Sequence, residues 1–276
     1  MAGVARVADD TIEIDDETSQ GPSYSVPPVH RAFRLLRHIA AGGRCRNAAA
    51  TARELGINRT TLIRLLHTLE AEGIIESDDD GASWQLGVGM ISLAADALKS
   101  RDVTRVAQPI MARLVNELQL SIHLGVLDGR DVVYLLRETP NSHLISNIRE
   151  GSRLPAHATT IGRILLAYMP ERQLLDLYRD ADLEAHTPKT STTLTQLIAQ
   201  IAEDRKQGIA WSKGNFEPGI GSCAAAIFDH RSRPIAGINV TGPEEQFSAY
   251  SNNAQRIEGA IKAAAAEISK GLGYRG

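Results

Sequence analysis

Cysteine is scarce in this chain: two in 276 residues, Cys45 and Cys223, far apart in sequence. That excludes a disulfide framework and leaves no zinc-ligand pattern. The eight histidines contain no His-Glu-x-x-His or comparable spacing, so no metal is expected, and no cofactor motif is present. No apolar run approaches the roughly 18 residues needed to span a bilayer. The opening residues are polar and acidic, unlike a secretion signal. A reducing cytoplasm and no membrane partner are the expectation. Charge of one sign is also lacking overall: the net charge is −3 and charged residues make up 23 %. The length suits two domains of ordinary size.

The charge that is present is unevenly placed. Residues 9 to 17 hold Asp9, Asp10, Glu13, Asp15, Asp16 and Glu17 with no base. Residues 1 to 26 are also poor in large apolar groups, and a disordered acidic tail is expected there. Residues 31 to 64 reverse the sign: Arg31, Arg34, Arg37, Arg44, Arg46, Arg53, Arg59 and Arg64 stand against Glu54 alone. Such an excess suits a polyanion, where phosphate contacts supply most of the affinity. The plainer alternative is a solvated helix surface.

Asn58 to Leu69 reads as one capped amphipathic helix. Leu62, Leu65, Leu66 and Leu69 share a sector, while Thr60, Arg64 and His67 lie opposite, with Thr61 and Ile63 on the flanks. Asn58 is a good N-cap. Upstream, a helix from Val29 stops at Gly42-Gly43 after Pro27-Pro28 ends the tail. A second helix runs from about Asn47 to Leu55, and Gly56 makes the turn. Downstream, Ile74 to Ser77 and Ser83 to Leu86 flank Asp78-Asp79-Asp80-Gly81, a hairpin that forms a wing. Its three aspartates would repel phosphate. Residues 27–87 therefore read as a winged helix-turn-helix domain whose recognition helix suits a DNA major groove.

Gly87 to about Leu120 is helical, with Asp102 or Thr104 as the divide: a linker helix over 88–102, then the first helix of a domain over 103–276. Strands are expected at 122–127, 131–138, 144–148, 209–213, 223–229 and 235–240. Residues 151–158 read as a loop. Helices are expected at 159–169, 171–178, 193–207 and 251–272. The fold class is α+β, an antiparallel sheet with helices packed around it.

Three places carry chemistry. The junction His157-Ala158-Thr159-Thr160 puts free amides and small residues at a helix start, which suits a carboxylate; an ordinary capped helix is the alternative. Ser222 and Cys223 begin one strand, and Asn239 and Thr241 end the next on a shared face. Small polar groups converging on a cleft orient a small ligand. Cys223 is more often a small core residue than a nucleophile. His123 alternates with apolar residues, as a satisfied sheet histidine does.

The chain resembles the isocitrate lyase regulator (IclR) family of bacterial transcription factors over nearly its whole length after residue 27. Asn58-Arg59-Thr60-Thr61-Leu62-Ile63-Arg64-Leu65-Leu66, with Leu69-Glu70 and Gly73, is similar to its recognition helix. Gly151-x-Arg153-Leu154-Pro155-Ala156-His157-Ala158-Thr159-x-x-Gly162-Arg163 looks like its effector-domain loop. Gly208-x-x-x-Ser212, Phe216-Glu217-Pro218-Gly219 and Ser222 to Asp229 look like its signature segment. The resemblance implies a C-terminal effector domain related to GAF folds. It implies homodimers, often paired into tetramers, on palindromic operator DNA, and small organic or aromatic acids as effectors. By position, effector contacts would be the amides near Ala158 and Thr159, then Ser212, Ser222, Asn239 and Thr241. Cys223 joins them as a neighbour of Ser222. The chain departs from the family at Ser212 and Asn215, which replace acids, at Arg163 for lysine, at Asn239 and Thr241 for serines, and at Ile63 for histidine.

The reading that follows is a ligand-responsive regulator, repressor or activator, of a catabolic operon. Arg59, Thr60, Thr61, Ile63, Arg64 and His67 would contact DNA, with Ile63 against a thymine methyl. One alternative is an enzyme using Cys223 or His157, with the N-terminal domain serving dimerisation. Another is a structural DNA-binding protein without a ligand.

Overall fold

The computed structural model describes residues 25–78, 83–99, 101–140, 148–247 and 252–276. The chain divides into two compact units at residues 94 and 95. The expected acidic tail, most of the wing tip and most of the strand at 144–148 lie outside the described residues.

The first unit is helical with a small hairpin. Helix α1 spans Pro27–Ala40, α2 Ala48–Glu54 and α3 Arg59–Ala71. Strands β1 (Ile75–Ser77) and β2 (Trp84–Leu86) pair antiparallel, Glu76 opposite Gln85. Pro27 and Pro28 were expected to precede α1, but they form its first turn. Proline fits there because its fixed φ is helical and its missing N–H has no partner to lose. Asn47 caps α2 by accepting from the Ala49 and Ala50 amides, and Gly56 makes the following turn at φ +61°. A side chain at that φ would be strained. Leu35, Leu36, Ile39, Ala52, Leu62, Leu66 and Ile75 form the buried core.

Helix α4 covers Val88–Lys99 and α5 Asp102–Leu118. Strands β3 (Ser121–Asp128) and β4 (Asp131–Glu138) follow. Residues 151–158 were expected as loop, yet Arg153–Pro155 forms a short strand, β5, on the free edge of β4. Three residues between a glycine turn and a proline are too few to show alternation. Helices α6 (Thr160–Leu166), α7 (Glu171–Tyr178) and α8 (Leu194–Gln207) come next. Then come β6 (Ala210–Lys213), β7 (Ile220–Phe228) and β8 (Pro234–Pro243), and the closing helix α9, Asn252–Gly271.

The sheet runs β5-β4-β3-β8-β7-β6, antiparallel throughout. Because side chains alternate across a strand, the sheet has two distinct faces. One packs Ile122, Leu124, Cys223, Ala225, Ile238 and Val240 against α5 and α9. The other packs Tyr134, Ala210, Ala224 and Ala226 against α6, α7 and α8. All of α6 is buried.

The approach of α6 depends on Gly162, where a Cβ would run into the backbone of Ala156. Backbone cannot yield as a flexible side chain can. Gly162→Ala should therefore destabilise the second unit by about 2 kcal/mol or more, read as a lower denaturant midpoint. An unchanged midpoint would mean that α6 has room to shift.

Candidate functional site

The exposed face of α3 is built by its own periodicity. Leu62 and Leu66 are buried, and Leu65 and Leu69 are half-buried in the same core. That turns Arg59, Thr60, Ile63, Arg64 and His67 outward, while Thr61 is half-buried. The Asn58 side chain accepts from the Thr61 amide at 2.7 Å, fixing the start of the helix. Ile63 is 37 % exposed, an apolar side chain on a polar face. Arg34, Arg37, Arg44, Arg46 and Arg53 are also exposed. In the wing, the Asp78 carboxylate accepts from Ser83 N and Oγ at 2.9 and 2.6 Å.

A second polar cluster lies on the α6 face of the large sheet. The register places Thr241 opposite both Ser121 and Ser222, and Ser222 opposite Ser212. The adjoining rung sets Asn239 opposite His123 and Ala224. Above them stand Thr159 and Thr160 at the start of α6. A cavity of about 30 Å³ lies between, lined by Tyr134, Ile148, Ala158, Thr159, Thr160, Ser212, Phe216, Glu217, Ile220, Ser222, Asn239 and Thr241. That volume holds about one water.

Hydrogen bonds link much of this lining. His123 Nδ1 and Asn239 Oδ1 are 3.0 Å apart. Asn239 Nδ2 donates to Thr160 Oγ1 at 3.4 Å, and Thr160 and Ser222 hydroxyls are 3.1 Å apart. The Thr159 hydroxyl accepts from the Gly162 amide, capping α6. The Ala158 amide, expected to be free, already donates to Pro155 O at 3.2 Å. Ser212 donates to Asn215 Oδ1 at 3.1 Å. His123 was expected to be satisfied; its Nε2 is buried without a partner, as are Thr241 Oγ1, Ser121 Oγ and Arg137 Nε. Burial lowers the His123 pKa to about 4, against the raising effect of the Asn239 hydrogen bond.

Cys223 departs from its expected place. It is fully buried on the opposite face, in the layer packed by α5 and α9. Neighbouring residues of a strand point to opposite sides, so Ser222 and Cys223 cannot share a pocket. Burial pushes its thiol pKa well up, away from the thiolate a nucleophile needs. His157 bonds the Glu184 carbonyl at 3.1 Å and sits beside His186, with burial lowering its pKa. Neither lines the cavity.

The segment carrying Phe216 and Glu217 is tied down. Thr190 Oγ1 donates to Asn215 O at 2.6 Å, Thr187 Oγ1 to Gly214 O at 2.7 Å, and Asn215 Nδ2 to Lys189 O at 3.0 Å. Lys189 pairs with Glu244 at 2.8 Å, and His186 packs on the Phe216 ring at 4.8 Å. Sequence reasoning passed over Ser121, Tyr134 and Arg137. Their alternation with Ile122, Leu135 and their neighbours was visible, but the strand pairing that aligns them was not.

Two family models match the two units of the chain. The IclR helix-turn-helix domain matches residues 28–79, and the bacterial transcriptional regulator IclR C-terminal domain matches residues 95–270. The chain belongs to the IclR family of bacterial transcriptional regulators. It is 28 % identical over 216 residues to the HTH-type transcriptional regulator XynR of Escherichia coli, covering 78 % of this chain and 86 % of that one. A transcriptional regulator from Rhodococcus sp. RHA1 has the same fold, with a TM-score of 0.78 at 28 % identity over 90 % of this chain and 98 % of that one. An IclR homolog from Microbacterium hydrocarbonoxydans, solved with 4-hydroxybenzoate, gives a TM-score of 0.76 at 22 % identity, over 89 % and 98 % of the two chains. As an IclR-family member the chain is a DNA-binding regulator rather than an enzyme, and the reading through Cys223 or His157 has no support.

The buried His123 gives this domain a pH signature. Its folded pKa of about 4 lies below the ordinary 6.5, so the unfolded chain takes up the proton first as the pH falls. Its contribution is intact above pH 6.5 and is lost as the pH drops towards 4, by about 3 kcal/mol. His157 acts in the same direction. Unfolding followed across that range should show the slope, and His123→Phe should flatten it; equal slopes would place the sensitivity elsewhere.

Proposed function

We propose that this IclR-family protein controls a catabolic operon by binding operator DNA through α3 and a small organic or aromatic acid in the sheet cavity. The reading head is Arg59, Thr60, Thr61, Ile63, Arg64 and His67. The effector residues are Ala158, Thr159, Ser212, Ser222, Asn239 and Thr241, with Tyr134 and Thr160 added. The observation that carries the reading is the buried cluster of hydroxyl and amide groups around a cavity beneath α6. Hydroxyl and amide hydrogens orient a carboxylate. The homolog solved with 4-hydroxybenzoate supports an aromatic acid as one member of the class.

Drug-sized ligand sites measure about 300–1,000 Å³, so a 30 Å³ cavity is a closed state. Effector entry would displace the Phe216–Glu217 segment against its ties to Lys189, Thr187 and Thr190. Binding is then coupled to a conformational change, and a coupling of about 1–3 kcal/mol alters operator affinity roughly 5–150-fold. Homodimers on a palindromic site, and tetramers as pairs of dimers, complete the reading. The apolar Val88, Ile91 and Leu93 of α4, each more than half exposed, support self-association. The setting would be the cytoplasm, where operator DNA lies; among the described residues no helix is long and apolar enough to cross a membrane.

Arg64→Ala should weaken specific operator binding by about 1–3 kcal/mol and leave effector binding intact. Unaltered affinity in a salt-controlled titration would remove Arg64 from the interface. In the cavity, Asn239→Ala should weaken effector binding and spare DNA binding, as read by calorimetry. Glu217 is the charged residue of the lining, and its charge opposes an anion. Glu217→Gln should tighten an acid by about 1 kcal/mol, or ~5-fold. Unchanged or weaker binding of the acid in this variant would show that the Glu217 charge does not oppose the ligand.

A further inference from the structure

We propose that His123 selects the effector: its Nε2 lone pair accepts a hydrogen bond from a ligand hydroxyl, so the acid taken by this cavity is a hydroxy acid. The inference rests on reading the cavity as the effector site. It concerns a residue outside the set that lines the cavity in its closed state.

The direction of the hydrogen bonds assigns the tautomer. Asn239 Oδ1, a carboxamide oxygen, can only accept, so His123 Nδ1 is the donor of their 3.0 Å bond. In a neutral imidazole the other nitrogen then carries the lone pair. Burial keeps the ring neutral near physiological pH. The same chain of bonds runs outward from Asn239 Nδ2, which donates to Thr160 Oγ1, to the Ser222 hydroxyl 3.1 Å beyond it. Asn239 thus presents its oxygen to one side and its N–H to the other.

His123 sits between two lining residues. Its ring meets the Tyr134 ring edge-on at 5.7 Å, and Asn239 is its partner on β8. Among the described residues, seven buried side-chain polar atoms have no partner. Four of them fall on one patch of the same sheet face: Ser121 Oγ, His123 Nε2, Arg137 Nε and Thr241 Oγ1. Ser121 lies directly opposite Thr241, and His123 opposite Arg137. The large majority of buried side-chain polar atoms in proteins are paired, and each exception is costly. A concentration of four beside a cavity offers a bound ligand polar groups to pair with.

Their chemistry sets the ligand class. Two hydroxyls and a guanidinium N–H serve acceptor oxygens, as a carboxylate supplies. The His123 lone pair needs a donor, and a bare carboxylate would face it with another lone pair. An ammonium donor is disfavoured by the Arg137 cation on the neighbouring strand. A hydroxyl remains. Sites built to bond a substrate hydroxyl reject the analogue lacking it far more strongly than apolar pockets reject a missing methylene.

Two measurements on the full-length chain test this. Nitrogen-15 spectra near neutral pH, with the His123 signals assigned through the contact with the Tyr134 ring, should show Nδ1 protonated and Nε2 bare. A protonated Nε2 would overturn the proposal, and this reading needs no variant to fold. Calorimetry would then compare matched acids: 4-hydroxybenzoate with benzoate, and lactate with propionate. Within a pair that binds, the hydroxylated member should bind at least about tenfold tighter. His123→Phe, which keeps a ring against Tyr134, should bring the two affinities together. Equal binding by the wild-type chain, or a preference that survives in His123→Phe, overturns the role of His123 while leaving the cavity as an acid site. Binding of none of the four acids overturns the acid-site reading itself and this inference with it.

Discussion

A buried guanidinium holds the roof of the cavity in place. Arg163, on α6, is 1 % exposed and pairs with Asp204 of α8 through Nε and Nη2 at 2.9 and 3.2 Å. Its Nη2 also donates to the Trp211 carbonyl on β6. One side chain therefore ties α6 to the neighbouring helix and to the sheet. Desolvation lowers the pKa of Arg163 and raises that of Asp204, since burial penalises both charged forms. Breaking such a pair by removing one partner costs about 3–5 kcal/mol, because the other charge stays buried. Gly162 sets the approach of the same helix from the other side. With α6 clamped, Thr159 and Thr160 stand in fixed positions over the sheet.

The sheet separates its apolar core from its polar patch by alternation alone. Successive residues of β3, β7 and β8 face opposite sides, so Ile122, Cys223 and Val240 enter the core beneath α5 and α9. Ser121, His123, Ser222, Asn239 and Thr241 lie on the α6 face, a polar patch beside the apolar layer of Tyr134, Ala224 and Ala226. A slip of one residue in any of these strands would exchange the two sets. The closed cavity follows from the same economy of space. Small residues at Ala210, Ala224 and Ala226 let α6 settle low on the sheet, while Thr187 and Thr190 tie down the segment that brings Phe216 to the cavity lining.

Much of the architecture was legible in the residues. The spacing of leucines on α3, the asparagine caps and the glycine ends marked the helix-turn-helix. Alternation and glycine turns marked most strands of the larger domain. Misses had local causes. Pro27 and Pro28 read as breakers but serve as a helix start, and β5 was too short to alternate. In the cavity, Ser222, Asn239 and Thr241 were recognisable as small polar groups on strands, yet Cys223 was grouped with them because sequence proximity was taken for spatial proximity. His123 looked like a satisfied sheet residue, since nothing along the chain reveals which strand lies opposite.

The sequence by itself determined the local elements, the polar outer face of α3, the arginine-rich character of its surroundings and the family to which the chain belongs. These depend on contacts within one or two turns of helix or along one strand. Only the tertiary structure decided that β3 lies between β4 and β8. That order sets His123 beside Asn239, Ser121 beside Thr241 and Arg137 beside His123. The β3–β8 pairing joins residues more than a hundred positions apart, and it is fixed by the burial of whole faces rather than by any residue's neighbours. For that reason the unpartnered nitrogen of His123 is a property of the folded sheet, invisible in the run of alternating residues that carries it.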